Sequence, residues 1–138
     1  MKRIRPSPSF EILLPEDIVH QTDQCVSSFW LHGEPILLQI SSYLRLDESQ
    51  VPASQRLRER LAKSQGQWKV WDHSPLAIDG TEQATAETVD SEGTLWIHAY
   101  IVWPHLTVYA TVSGPADQLR NRQDWAIAAL GTMKLNIQ

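Results

Sequence analysis

The chain has 138 residues and so holds about one domain, since domains cluster near roughly 100–150 residues. With 42% hydrophobic and 20% charged residues it is composed like an ordinary globular protein, which excludes a disordered chain, a coiled coil and a disulfide scaffold. The net charge is −4, and three of the twelve cations, Lys2, Arg3 and Arg5, fall in the first five positions. The remaining body is more acidic still, a balance that disfavours a nucleic acid partner, which needs a basic face to displace counterions from phosphate.

Residues 1–9 read as a flexible, solvated basic tail, and residues 10–138 as a single domain. Pro6, Ser7, Pro8 and Ser9 stand where a signal peptide needs an apolar stretch, and no later run is long enough to span a membrane. A cytoplasmic chain with no membrane span is expected, although a mature chain cut from its leader would read the same. The single Cys25 excludes an internal disulfide, and no cysteine pair is present to cage zinc. Cys25 reads as a small buried hydrophobe rather than a reactive thiol.

Phe10, Ile12 and Leu14 alternate along a first strand that stops at Pro15. Cys25 to Leu31 and Ile36 to Leu44 then form a hairpin around His32-Gly33-Glu34-Pro35. Counting outward pairs Trp30 with Leu37, Phe29 with Leu38, Ser28 with Gln39 and Ser27 with Ile40. One face carries Phe29, Leu31, Ile36, Leu38 and Ile40; the other carries Ser28, Trp30, Leu37 and Gln39. In the polar stretch that follows, Pro52 opens a surface-lying helix reaching Lys63, with Leu57 and Leu61 on one stripe and Gly66 as its stop. Trp68 to His73 is a strand ended by Pro75 and by an Asp79-Gly80 turn, with Trp68 and Trp71 on opposite faces.

Thr81 to Ser113 reads as three antiparallel strands joined at Asp90-Ser91-Glu92-Gly93 and at Pro104-His105. If both turns are tight, Ile101 meets Val108, Ala99 meets Ala110 and Ile97 meets Val112, while Ala86 meets Ile97 and Ala84 meets Ala99. That register makes one face aliphatic. It gathers Gln83, Thr85 and Glu87 with Trp96, His98, Tyr100, Tyr109 and Thr111 on the other. Ala116 to Leu130 is a helix over the aliphatic face, stopped by Gly131, and Met133, Leu135 and Ile137 alternate along a short last strand. The whole is an α+β domain with a mostly antiparallel sheet of six or seven strands between helices.

Phe10-x-Ile12-x-Leu14-Pro15, the alternating meander at Thr81 to Ser113, and a last helix with Trp125 leading through Ala129-Leu130 into Met133-Lys134-Leu135 together resemble the PsbP-like superfamily. Its branches include the extrinsic P subunit of photosystem II, a Ran-binding import factor, DcrB-type lipoproteins and Eag-type secretion chaperones. The resemblance implies an α/β/α sandwich and a binding or assembly role rather than catalysis, and it carries no residue-level signature of one branch. The missing leader argues against the lumenal and lipoprotein branches. An Eag-like chaperone would want a more apolar face than Trp96, His98 and Tyr100 provide.

Six Trp stand beside two Phe and three Tyr, and Trp, large and with an N–H to satisfy, is not a default core filler. The expected binding residues are Trp30, Gln39, Glu87, Trp96, His98, Tyr100, Trp103 and Tyr109, a mixture of rigid apolar area and hydrogen-bonding groups suited to a protein or peptide partner. Two readings of this aromatic-polar face stand side by side: an open binding surface, or a second core layer under the Pro52–Lys63 helix. Trp103, at a hairpin tip, is either a contact residue or packed under the last helix. The alternative function is a small-ligand or weakly catalytic pocket around His98, Glu87 and Tyr109, in which the carboxylate orients the imidazole. No nucleophile with an oxyanion site, no metal-ligand spacing and no phosphate loop accompany it, so neither a catalytic residue, a metal nor a cofactor is expected. The chain is expected to act as a monomer or homodimer.

Overall fold

A computed structural model describes residues 1–44, 51–63, 67–71, 76, 78, 80–119 and 125–136. In chain order the strands and helices are β1 (Lys2–Ser7), β2 (Phe10–Leu14), β3 (Val19–Asp23), β4 (Val26–Trp30), β5 (Leu37–Leu44), α1 (Ala53–Ala62), β6 (Trp68–Val70), β7 (Glu82–Val89), β8 (Thr94–Trp103), β9 (Leu106–Pro115), α2 (Ala116–Leu119), α3 (Trp125–Leu130) and β10 (Lys134–Leu135). Gly66, residues 72–75, Asp79 and Ile137, to which the expected helix stop, strand end, turn and last strand extend, lie outside the described residues, as do residues 120–124 between α2 and α3.

The fold is α+β, and the main sheet has seven strands in the order β3-β4-β5-β9-β8-β7-β6, every neighbouring pair antiparallel. Its aliphatic face holds Phe29, Leu38, Ile40, Ile97, Ala99, Ile101, Val108, Ala110 and Val112, all at most 2% exposed. α2, α3 and β2 supply the facing layer, with Leu119, Ala126, Ala129 and Leu130 beside Phe10, Ile12 and Leu14. α1 lies on the opposite face. Each large aliphatic side chain so buried contributes about 1.5–3 kcal/mol, so this layer is the main source of stability.

The first strand departs from expectation. Phe10–Leu14 does not join the main sheet; it is the centre of a separate three-stranded sheet, β1-β2-β10. Thr132 secures the arrangement by accepting the Leu13 N–H on its Oγ1 at 2.9 Å, and the Asn136 N–H reaches the Ser9 carbonyl at 2.8 Å.

The first residues are not a free tail either. Lys2–Ser7 pairs with β2, matching Ile4 to Ile12. Arg3 and Arg5 put their Nε atoms 3.5 and 3.9 Å from the carboxylate of the buried Glu11, while Ile4 packs against the core. Charge counting sees the arginines; strand alternation turns the intervening Ile4 the other way. Pro6 is tolerated because this is an edge strand, and the pairing shifts register between Ile4 and Ser7.

The β4–β5 and β8–β9 registers are those expected, including Trp30 with Leu37, Tyr100 with Tyr109 and His98 with Thr111. At the Pro104-His105 turn, Pro fixes the first φ and His105 takes φ 68°, the type II pattern that closes a two-residue loop. The β7–β8 register is slipped by one residue. Ala84 faces Tyr100, Ala86 faces His98, and Thr88 faces Trp96, whereas Thr85 and Glu87 face Ala99 and Ile97. The cause is the turn. Asp90 pairs with Thr94, leaving the three-residue loop Ser91-Glu92-Gly93, in which Gly93 takes φ 81°. Asp90 Oδ1 accepts the Glu92 and Thr94 N–H groups, both at 2.9 Å, and Oδ2 accepts the Trp96 indole N–H at 3.2 Å. These bonds hold the Asp90 carboxyl below the usual carboxylate range, the Thr94 amide contributing most.

Candidate functional site

The observed pairings arrange the second face of the main sheet in transverse rows. One row runs Val26, Ser41, Tyr109, Tyr100, Ala84; the next runs Ser28, Gln39, Thr111, His98, Ala86; the third runs Trp30, Leu37, Ser113, Trp96, Thr88. Two small alanines at the β7 end of these rows leave space for a helix. α1 fills it, starting at Pro52, with the Ala53 N–H donated to Glu82 Oε1 at 2.7 Å. Ala53, Leu57 and Leu61 are at most 1% exposed and pack with Ala86, Tyr100 and Val102. Both readings of the face are therefore partly realised: α1 makes a second core layer over β7 and β8, and the β4, β5 and β9 portion has no helix over it among the described residues.

Where the helix ends and the open sheet begins, a polar aromatic cluster forms. Arg60 of α1 donates from Nε to the Tyr100 hydroxyl at 2.7 Å, and its guanidinium carbon lies 3.9 Å from the centre of the Tyr109 ring. The two tyrosine rings are 4.8 Å apart between centres. The Tyr109 hydroxyl lies 2.7 Å from His98 Nδ1, and His98 Nε2 lies 3.0 Å from the Thr88 hydroxyl. Burial, with the nearby Arg60 charge, pushes the His98 pKa down to about 4, so the imidazole is neutral at pH 7. Burial pushes the Tyr109 hydroxyl up to about 12, so it remains protonated. A neutral imidazole offers one donor and one acceptor, and here both nitrogens have a hydroxyl partner.

Beyond Tyr109 the uncovered sheet has a hollow of about 260 Å³, lined by Val26, Gln39, Ser41, Trp96, His98, Tyr109, Thr111 and Ile40. Gln39 is anchored by an Nε2 to Ser28 Oγ bond of 3.3 Å. Among the expected site residues, Gln39, Trp96, His98 and Tyr109 thus converge. Trp30 stands half-buried in the next row but does not line the hollow.

Five expectations are corrected. Glu87 is on the opposite face from His98, because of the register slip, and its carboxylate accepts the Trp71 indole N–H at 3.2 Å. The proposed His98–Glu87 pair therefore does not exist. Trp103 is 4% exposed and belongs to the aliphatic core, since its odd position places it with Ile97, Ala99 and Ile101. Tyr100 faces the right way but is 5% exposed beneath α1. Thr85, expected beside His98, is turned into the aliphatic layer for the same reason as Glu87, and Cys25 is exposed in the β3–β4 turn, after Gln24 with φ 54°. Trp68 and Trp71 do divide as expected: the first is 43% exposed and the second 7%.

Sequence reasoning missed Arg60, Thr88, Ser41 and Val26. A signal for Arg60 was present: it follows Leu57 by three positions, so it flanks the apolar stripe of α1 and can reach the sheet. No group of three or more His, Cys, Asp or Glu able to hold a metal occurs among the described residues. No helix among them is long and apolar enough to cross a membrane.

A scan against protein-family models gives no match, and a search of curated proteins gives none. A crystal structure of a protein from Bacteroides thetaiotaomicron VPI-5482 is similar in fold, with a TM-score of 0.53 at 14% identity over 97% of this chain. The chain spans about half the length of that protein, 48%. The likeness concerns the fold alone and assigns neither a family nor a function.

Proposed function

We propose that the protein is a non-catalytic binding module that takes an apolar or aromatic side chain of a protein or peptide partner into the hollow on β4, β5, β9 and β8. The observation that carries this reading is the division of one sheet face by α1, which leaves Trp96, Gln39, His98 and Tyr109 around an open hollow. Its volume of about 260 Å³ favours the smaller of the two ligand classes. Sites for drug-sized molecules run from roughly 300 to 1,000 Å³, so this one suits a single side chain better than a whole small ligand. The lining combines Trp and Tyr area with Gln, Ser and Thr hydrogen-bonding groups, the composition of recognition surfaces.

The state of His98 supports binding over acid–base catalysis. A base of pKa about 4 takes up little proton at pH 7, and both ring nitrogens are occupied. The family resemblance, whose branches bind and assemble proteins, points the same way. The test is selection of displayed random peptides on the wild-type protein, followed by binding to Gln39→Trp, which fills the hollow. The reading expects enriched peptides carrying a common apolar anchor that lose affinity for a folded Gln39→Trp variant. Absence of any enriched sequence, or equal binding to the filled variant, refutes it.

A further inference from the structure

A second hollow, of different chemistry and sharing no lining residue with the first, lies against Arg60. It is open, has a volume of about 330 Å³, and is lined by Arg56, Glu59, Arg60, Lys63 and Tyr100. Four of the twelve Lys and Arg residues of a chain with net charge −4 fall between Arg56 and Lys63. Arg56, Arg60 and Lys63, spaced by four and three, share one flank of α1. Attraction to the helix C-terminus accounts for cations at Arg60 and Lys63, in and just after the last turn. It does not account for Arg56, whose Nε is buried with no hydrogen-bond partner among the described residues. A buried donor on a charged group left unsatisfied is costly, which makes this nitrogen the outlier of the helix.

The neighbouring groups are oriented for an acceptor. The Tyr100 hydroxyl receives the Arg60 Nε–H at 2.7 Å, which leaves its own proton free to donate. The one carboxylate lining the hollow, Glu59, accepts a hydrogen bond from Gln55 Nε2 at 3.1 Å, and neither Arg56 nor Lys63 has a carboxylate partner among the described residues. From this cluster we infer that the α1 flank is an oxyanion-binding site, in which Arg56, Lys63 and the Tyr100 hydroxyl hold a phosphate or carboxylate group while Arg60 fixes Tyr100. Guanidinium groups suit such ligands because their fork of N–H donors matches two oxygens at once. The site is separate from the apolar hollow, and either can fail without the other.

The test titrates the full chain with inorganic phosphate and, separately, with succinate, each against sodium chloride at matched ionic strength, following by NMR the Arg60 Nε–H and the backbone amides of α1, which the wild type and the variants share. Saturable binding with a Kd on the order of 1 mM is expected for one of the two anions, weakened about tenfold in Arg56→Gln. Preference for phosphate identifies a phosphate-bearing ligand; preference for succinate identifies a carboxylate-bearing one. Lys63→Gln, at an exposed end of the helix, serves as a second variant should Arg56→Gln fail to fold, and is expected to weaken binding in the same direction. A shift no larger than that in chloride, or unchanged affinity in the folded variants, overturns the inference.

Discussion

Lowering the pH tests the environment assigned to His98 directly. In the unfolded chain its imidazole titrates near the ordinary 6.5, whereas in the fold burial and Arg60 hold it at about 4. Between those values the unfolded state binds a proton that the native state does not, so stability is complete above pH 6.5 and is lost as the pH falls through this window. The whole difference corresponds to about 3 kcal/mol, and about 2 kcal/mol of it is already gone at pH 5. Other groups titrate in the same range. The measurement therefore compares urea unfolding of the wild type with that of His98→Gln, which cannot take up the proton, at intervals from pH 7 to pH 4. The stability difference between the two is expected to shift by about 2 kcal/mol toward the variant between pH 7 and pH 5. A difference that stays flat with pH, or an NMR titration of His98 near 6.5, would refute the buried, doubly bonded histidine.

Three substitutions examine the rest of the architecture. Trp103→Ala is expected to cost about 3–5 kcal/mol and lower the melting temperature by roughly 10–17 °C, because its side chain is core; a near-neutral effect would restore it to the surface. Tyr100→Ala, which empties the space under α1 and frees Arg60, is expected to destabilise by about 3 kcal/mol, whereas Trp96→Ala, on the open side, costs less than half as much; comparable losses by chemical denaturation would contradict the division of the face. Gly93→Ala places a side chain at φ 81° and is expected to cost about 1 kcal/mol, with amide exchange faster at the β7–β8 end than at the β8–β9 end.

Strand alternation was legible where the pattern is strict. Ile97, Ala99 and Ile101 opposite Val112, Ala110 and Val108 admit one register, because a slip would put every aliphatic side chain in water. The β7 strand offers no such constraint. Ala84, Ala86 and Thr88 on one side and Gln83, Thr85 and Glu87 on the other are both small or polar sets, so the register fell to the turn. Asp90-Ser91-Glu92-Gly93 closes as a two- or a three-residue loop in sequence terms, and the choice moved Glu87 away from His98. The candidate site was legible as a set of side chains on one face, but which of them are open depended on α1, whose landing place involves residues some forty positions away.

Periodicity and composition thus determine the α+β character of the fold, its aliphatic face and the Trp30–Leu37 and Tyr100–Tyr109 pairings, since these follow from alternation within segments of a few residues. The pairing of Lys2–Ser7 and Lys134–Leu135 with Phe10–Leu14, the burial of Trp103, the clamp of Arg60 on Tyr100 and Tyr109, and the two hollows beside it come from contacts between distant segments. Local pattern sets which side a residue faces. What covers that side is settled only when the layers pack.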